Sequence, residues 1–148
     1  MTAVYRRMTK SDVPQVLKIE NELFPDPWSC NSFLLDIENR IYSYPFVLVM
    51  DEQIIGYCNC WYYFKELHIG NFAIKKEFQK QGYGKLLMEK IFESFPEYHS
   101  AFLEVGISNQ AAIALYKKFG FEALSKRKSY YANGEDAIVM SKNLFKAI

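Results

Sequence analysis

The stretch Gln79-Lys80-Gln81-Gly82-Tyr83-Gly84 decides how the chain is read. On its N-terminal side Leu67 to Ile74 is a β-rich run. On its C-terminal side the apolar period lengthens from that of a strand to that of a helix. Leu87, Met88, Ile91, Phe92 and Phe95 then share one side, and Pro96 ends the pattern. A glycine-bearing turn between a strand and a helix lets the backbone approach an anion. The unpaired N–H groups and positive dipole end of the first helical turn stabilise phosphate charge. Two glycines one residue apart read equally as an ordinary tight turn. The loop lacks the Gly-Lys-Ser/Thr of a nucleoside-triphosphate loop and the third glycine of a dinucleotide fingerprint, so nucleotide hydrolysis and hydride transfer lose ground.

Upstream, a short strand near Ala3 to Arg7 precedes a helix that Ser11 caps, with Pro14 in its first turn and Val13, Val16 and Leu17 toward the core. Phe24-Pro25-Asp26-Pro27-Trp28 breaks that helix, and Ser29 caps a second with Phe33, Leu34 and Ile37 on its apolar side. Phe46 to Met50 and Ile54 to Tyr63 pair as a hairpin around Asp51-Glu52-Gln53. Downstream come a buried strand at Ala101 to Val105 and a helix at Asn109 to Phe119 that carries Ala112, Leu115, Tyr116 and Phe119 on one face and stops at Gly120. Two closing strands, Phe121 to Tyr131 and Glu135 to Met140, meet at a tight Ala132-Asn133-Gly134 turn. The order β-α-α-β-β-β-α-β-α-β-β predicts a mixed α/β domain spanning 1–148.

A chain of 148 residues suits one domain and one active site. Half of it is apolar, yet no window reaches the run of about 18 apolar residues that a membrane helix needs. The opening Met1-Thr2-Ala3-Val4-Tyr5-Arg6-Arg7 lacks a secretory pattern, so a soluble, cytoplasmic protein is expected. Eighteen basic and 17 acidic residues leave a net charge of +1, giving nucleic acid no electrostatic claim as partner. Cys30, Cys58 and Cys60 lack disulfide or zinc spacing and read as reduced thiols. Cys58 and Cys60, two apart, share one face of a strand, where packing is the expected role and no metal site is assigned.

The Gln-x-x-Gly-x-Gly loop after a strand, followed by Glu104-Val105 and then by Ser108-Asn109-x-x-Ala112-x-x-Leu115-Tyr116-x-x-x-Gly120-Phe121, resembles the GNAT acetyltransferase superfamily over most of the chain. The resemblance implies a mixed, mostly antiparallel sheet of six to seven strands, splayed between the fourth and fifth and flanked by about four helices. It implies acetyl-CoA as co-substrate and no metal. Gln79, Gln81, Gly82 and Gly84 would hold the pyrophosphate, with Lys80, Tyr83 and Lys85 lending neighbouring amides. The backbone of Phe72, Ala73 and Ile74 would pair with the pantetheine arm. A finer resemblance, to RimI-type ribosomal-protein-alanine N-acetyltransferases, rests on Pro27-Trp28-Ser29, Leu103-Glu104-Val105 and Arg127-x-x-Tyr130-Tyr131 with Glu135-Asp136-Ala137-Ile138-x-Met140. Gly106 departs from it, since those enzymes commonly carry arginine there.

By that resemblance Glu104 is the general base and Tyr116 the acid that protonates the departing thiolate. Read from the residues alone, Glu104 is equally a solvated strand-end acid and Tyr116 a core tyrosine. Asn109 caps the last helix and, by the resemblance, also touches the cofactor. Trp28 and Tyr131, with Tyr130 behind them, are candidates to bind the acceptor peptide, with core packing as the alternative. Glu22 reads either as a carboxylate beside the incoming ammonium or as a solvated helix residue. His68 has no acid partner in the sequence and reads as structural. The expected reaction is direct attack of an N-terminal α-amine, that of a ribosomal protein, on acetyl-CoA in a ternary complex with a monomeric enzyme. A lysine or polyamine acetyltransferase and a non-catalytic acyl-CoA module are the alternatives.

Overall fold

The computed structural model describes residues 2–144. Among these, β1 (Val4–Arg7) leads to α1 (Val13–Leu23) and α2 (Cys30–Glu38). The meander β2 (Ser43–Met50), β3 (Gln53–Tyr63) and β4 (Glu66–Ile74) follows. Then come α3 (Tyr83–Ser94), β5 (Ser100–Gly106), α4 (Gln110–Lys118), β6 (Glu122–Arg127) and β7 (Ala137–Asn143). The seven strands form one sheet in the order β1-β2-β3-β4-β5-β7-β6. Every pair is antiparallel except β4 with β5, whose parallel ladder runs only from Glu66↔Ser100 to Ile69↔Leu103. Beyond Ile69 the two strands part, and this is the expected splay. Within β4 the register against β3 also shifts between Gly70 and Ala73, where Asn71 takes φ 50°. The bulge bends the free half of β4 away from β5.

The strand period sorts the core to the two sheet faces. Tyr57, Val47 and Ile54 pack with Val13, Val16, Ile19 and Phe33 of α1 and α2. Cys58, Cys60, Leu67 and Leu103 face the other way, toward Leu87, Met88 and Ile91 of α3 and Tyr116 of α4. The two thiols, 3.7 Å apart and fully buried, are therefore core packing. Phe33 is also fully buried, so truncating it to alanine would cost about 3–5 kcal/mol. Among the described residues no helix is long and apolar enough to cross a membrane.

Two local expectations are corrected. Ser11 does not cap α1; a 3-10 turn, Lys10–Asp12, comes first, and Asp12 Oδ2 accepts the Thr9 N–H at 2.7 Å while Arg6 holds the same carboxylate from β1. The closing strands stop short of the expected turn: β6 ends at Arg127 and residues 128–136 form a loop, with Tyr131 N–H still reaching Glu135 O across its tip. Carboxylates take amides that would have extended the ladder: Asp136 Oδ1 accepts from Ser129 N–H at 2.8 Å and Asp26 Oδ2 from Ala132 N–H at 3.0 Å. Gly134, at φ 87°, closes the inner turn with its N–H on Tyr131 O.

Candidate active site

Where β4 and β5 diverge, a cleft of about 830 Å³ opens between the sheet, the loop joining α1 to α2, and the 128–136 loop. Trp28, Phe72, Glu104, Asn109, Tyr116 and Tyr131, six residues singled out from sequence, line it together. Glu104 is the first β5 residue past the parallel ladder, and β7 still fixes it from the other side through Val139. Its side chain is 18% exposed, and Oε2 lies 2.9 Å from His68 Nε2. The hydrogen bond from His68 holds the Glu104 carboxyl below the usual carboxylate range, against the opposing effect of burial. A carboxylate only accepts, so Nε2 of His68 carries the proton of this contact. The expectation that His68 lacks an acid partner is thus corrected: the parallel pairing of β4 with β5 supplies one 36 positions away.

Tyr116 is 5% exposed, seated edge-on between the rings of Phe72 (5.8 Å) and Phe121 (6.1 Å). Among the described residues its hydroxyl has no hydrogen-bond partner. Burial pushes its pKa well up, so it stays a protonated donor at any physiological pH. Asn109 Oδ1 accepts from Ala112 N–H at 3.2 Å and so caps α4. Tyr131, whose pKa burial raises to about 12, is a neutral phenol at physiological pH.

The Gln79–Lys85 segment does not line this cleft; it sits at the far end of the free half of β4, stitched to it by Gln79 Nε2 donating to Ile74 O at 2.9 Å. Gly82 occupies the cap of α3 at φ 91°, a left-handed position that suits glycine, and no side chain caps the helix there. The first intrahelical bond is Leu86 N–H to Gly82 O, leaving the Tyr83, Gly84 and Lys85 amides directed out of the helix end. A Cβ on Gly84 would meet Leu115 Cδ2 at 3.3 Å, so its absence lets α3 and α4 approach. Ala73 and Ile74 pair with Tyr57 and Gly56 of β3 and face the splay with their other edge. Past Ile69 that edge has no β5 partner among the described residues, and the amides at the start of α3 lie beyond it.

The protein-family model for the acetyltransferase (GNAT) family matches residues 13–121. The chain belongs to the GNAT acetyltransferase family. A Bacillus subtilis protein, provisionally assigned as a ribosomal protein bS18-alanine N-acetyltransferase, is 37% identical over 93% of both chains. An N-alpha-acetyltransferase of Saccharolobus solfataricus is 29% identical over 94% of this chain and 92% of its own length. The crystal structure of the ribosomal-protein-S18-alanine N-acetyltransferase from Escherichia coli superposes with a TM-score of 0.87 at 28% identity, over 99% of this chain and 97% of that one. As a GNAT enzyme of this type the protein is an acetyl-CoA-dependent N-acetyltransferase.

Glu20 and Trp61, which sequence reasoning did not single out, line the cleft of this GNAT domain, as do His68, read from sequence as structural, and Glu135, quoted there only within a motif. Glu22, the helix carboxylate considered from sequence, is exposed, whereas Glu20 is 1% exposed. Its place in the apolar register Val13, Val16, Glu20 was the available signal. Glu135 accepts both the N–H (2.8 Å) and the hydroxyl (2.6 Å) of Ser108, latching the loop after β5 to the loop before β7. Gly106 makes room for that latch, since a Cβ there would lie 2.8 Å from Glu135 Oε1.

Proposed function

We propose that this enzyme acetylates the N-terminal α-amine of a protein, with the N-terminal alanine of a small-subunit ribosomal protein as acceptor, in the cytoplasm. The observation that carries the reading is the placement of an ionised Glu104 and a protonated Tyr116 on one cleft, at the point where β4 leaves β5. An α-amine with a reference pKa near 8 is already about one-tenth neutral at pH 7, so a weak carboxylate base suffices. Glu104 orients the amine and takes its proton, directly or through a water, as the amine attacks the thioester carbonyl. His68 keeps the Glu104 carboxylate in place. Tyr116 donates its proton to the sulfur as the C–S bond breaks, so that free coenzyme A leaves as a thiol. No covalent acyl-enzyme is needed when both substrates are held in near-attack geometry.

On the donor side, the open edge of Phe72, Ala73 and Ile74 would carry the pantetheine arm. Gln79, Lys80, Gln81, Gly82, Tyr83, Gly84 and Lys85 would hold the pyrophosphate, and Asn109 the arm's inner end. On the acceptor side, Trp28 and Tyr131 would flank the first residue, with the Trp28 ring 5.8 Å from that of Trp61. The names of the Escherichia coli and Bacillus subtilis relatives support a ribosomal acceptor. The test is incubation with acetyl-CoA and a panel of alanine-initiated peptides, internal-lysine peptides and polyamines, with thiol release followed and the acetyl group located by mass spectrometry. α-Amine labelling of the alanine peptides is expected; labelling confined to lysine or polyamine overturns the acceptor assignment.

A further inference from the structure

Glu20 sits in the apolar register of α1, almost fully buried, in the wall of the cleft. Both of its oxygens are engaged. Oε1 accepts the Tyr57 hydroxyl at 2.7 Å; Oε2 accepts the Trp28 N–H at 3.0 Å and the Asn71 side-chain amide at 2.8 Å. Among the described residues none of its partners is a cation. A buried carboxylate held only by neutral donors is costly, and an apolar side chain would fill the volume more cheaply. What a carboxylate adds is simultaneous acceptance from three separate elements: β3, the α1–α2 loop and the β4 bulge.

Those elements bear on the acceptor. Trp61 is fixed independently, by its indole N–H on Asp36 Oδ1 at 2.9 Å and by close packing over Gly70, which leaves the ring no Cβ to clash with. Trp28, the other half of the aromatic wall, rests on ring contacts to Phe33 (5.2 Å) and Trp61 (5.8 Å), and its backbone is tethered by Glu20. Asn71, at φ 50°, immediately precedes Phe72, whose ring packs on Tyr116.

We propose that Glu20 is the positioning residue of the acceptor pocket: it holds the Trp28–Trp61 wall against the Asn71 bulge and thereby sets how large a first residue the acceptor can carry. The inference rests on the α-amine reading above. A glutamine at position 20 can keep every contact, its carbonyl accepting from Trp28 and Asn71 and its NH2 donating to a Tyr57 hydroxyl turned acceptor. Glu20→Gln therefore removes the charge and keeps the position, whereas Glu20→Ala removes both.

The experiment compares wild type, Glu20→Gln, Glu20→Ala and Asn71→Gly. It measures kcat and KM for acetyl-CoA and for alanine- and leucine-initiated peptides, and acrylamide quenching of tryptophan emission without substrate. The chain has two tryptophans and both line the cleft, so the emission reports the wall directly. Glu20→Ala is expected to raise the alanine-peptide KM about tenfold, narrow the alanine-over-leucine preference and increase quenching, with the acetyl-CoA KM within about twofold. Glu20→Gln restores wild-type values to within about threefold. Asn71→Gly, which cuts one tether and tolerates the positive φ, moves the peptide KM the same way even if Glu20→Ala does not fold. Unchanged quenching and unchanged peptide preference in the alanine variant overturn the proposal. So do equal losses for peptide and acetyl-CoA, or a glutamine variant as impaired as the alanine one. If the wild type labels no α-amine, the functional reading fails by itself, and the quenching comparison still decides the role of Glu20.

Discussion

Glu104 Oε2 and His68 Nε2 meet at 2.9 Å across the end of the β4–β5 ladder, His68 one residue before its last pair, Ile69↔Leu103, and Glu104 one residue past it. The contact sits where the pairing of β4 with β5 ends and the cleft begins. Replacing Glu104 with glutamine keeps the side-chain shape and removes the proposed base, so kcat on an alanine peptide should fall by about 10²–10⁴-fold, with acetyl-CoA affinity by calorimetry unchanged. His68→Gln, which only loosens the carboxylate, should cost far less. Equal effects of the two substitutions would make the pair one titrating unit instead of a base and its support.

The pH profile follows from the two shifted groups. Glu104, lowered, is ionised throughout the neutral range, and Tyr116, raised, stays protonated. Neither sets the acid limb of kcat/KM, which instead rises with deprotonation of the acceptor amine, near pH 7.7–8.0 for a typical α-amine, roughly. A peptide whose amine titrates lower should shift the limb down by the same amount. A limb fixed regardless of acceptor would assign it to the enzyme.

Tyr116→Phe leaves the Phe72 and Phe121 contacts in place and deletes only the donor. The chemical step should slow by about 10²-fold or more, with thermal stability nearly unchanged because among the described residues no partner loses a hydrogen bond. Transfer from a donor whose leaving thiol is more acidic should be less impaired, since such a thiolate needs the proton least. Rapid-quench kinetics with the two donors separates these cases.

Gly106 and Glu135 are coupled. Gly106→Arg places a Cβ against Glu135 and should break the latch to Ser108, raising peptide KM several-fold. Because Glu135→Ala removes the same latch, the Gly106→Arg/Glu135→Ala double variant should be no worse than the worse single variant, and a double-variant cycle measures the coupling. Additive effects would show that the two positions act separately.

Asp12 joins β1 to the start of α1 through Arg6 and Thr9. Burial tends to raise its carboxyl, but Arg6 and Thr9 together hold it below its ordinary value. Its stabilising contribution is therefore present above the unfolded carboxyl pKa, about 4, and is lost as pH falls through the lower folded value. Asp12→Ala should cost about 1–2 kcal/mol at pH 7 in urea unfolding. The difference from wild type should shrink toward pH 3.

The strand and helix periods, the glycines of the Gln79–Gly84 loop and the Gly120 stop are local signals, and they made the element order, the mixed sheet and the family legible in the sequence alone. Gly82 is a clear case: a left-handed cap at φ 91° favours a residue without a Cβ, wherever the rest of the chain goes. Glu104 and Tyr116 were singled out only through the resemblance of the motifs that carry them; read from the residues alone, each had a structural alternative. What the sequence did not contain was the identity of their neighbours. His68 acquires its acid through parallel pairing with a strand 36 positions on. Glu20 acquires its meaning from Trp28, Tyr57 and Asn71, which only the packing of α1 on the sheet brings within reach. In the 128–136 loop, the Ala132 amide goes to Asp26, more than a hundred residues earlier. Backbone geometry and burial periodicity depend on residues near in sequence and can be read there. Hydrogen bonding and desolvation depend on residues near in space, so the chemistry of the cleft was decided by the tertiary fold.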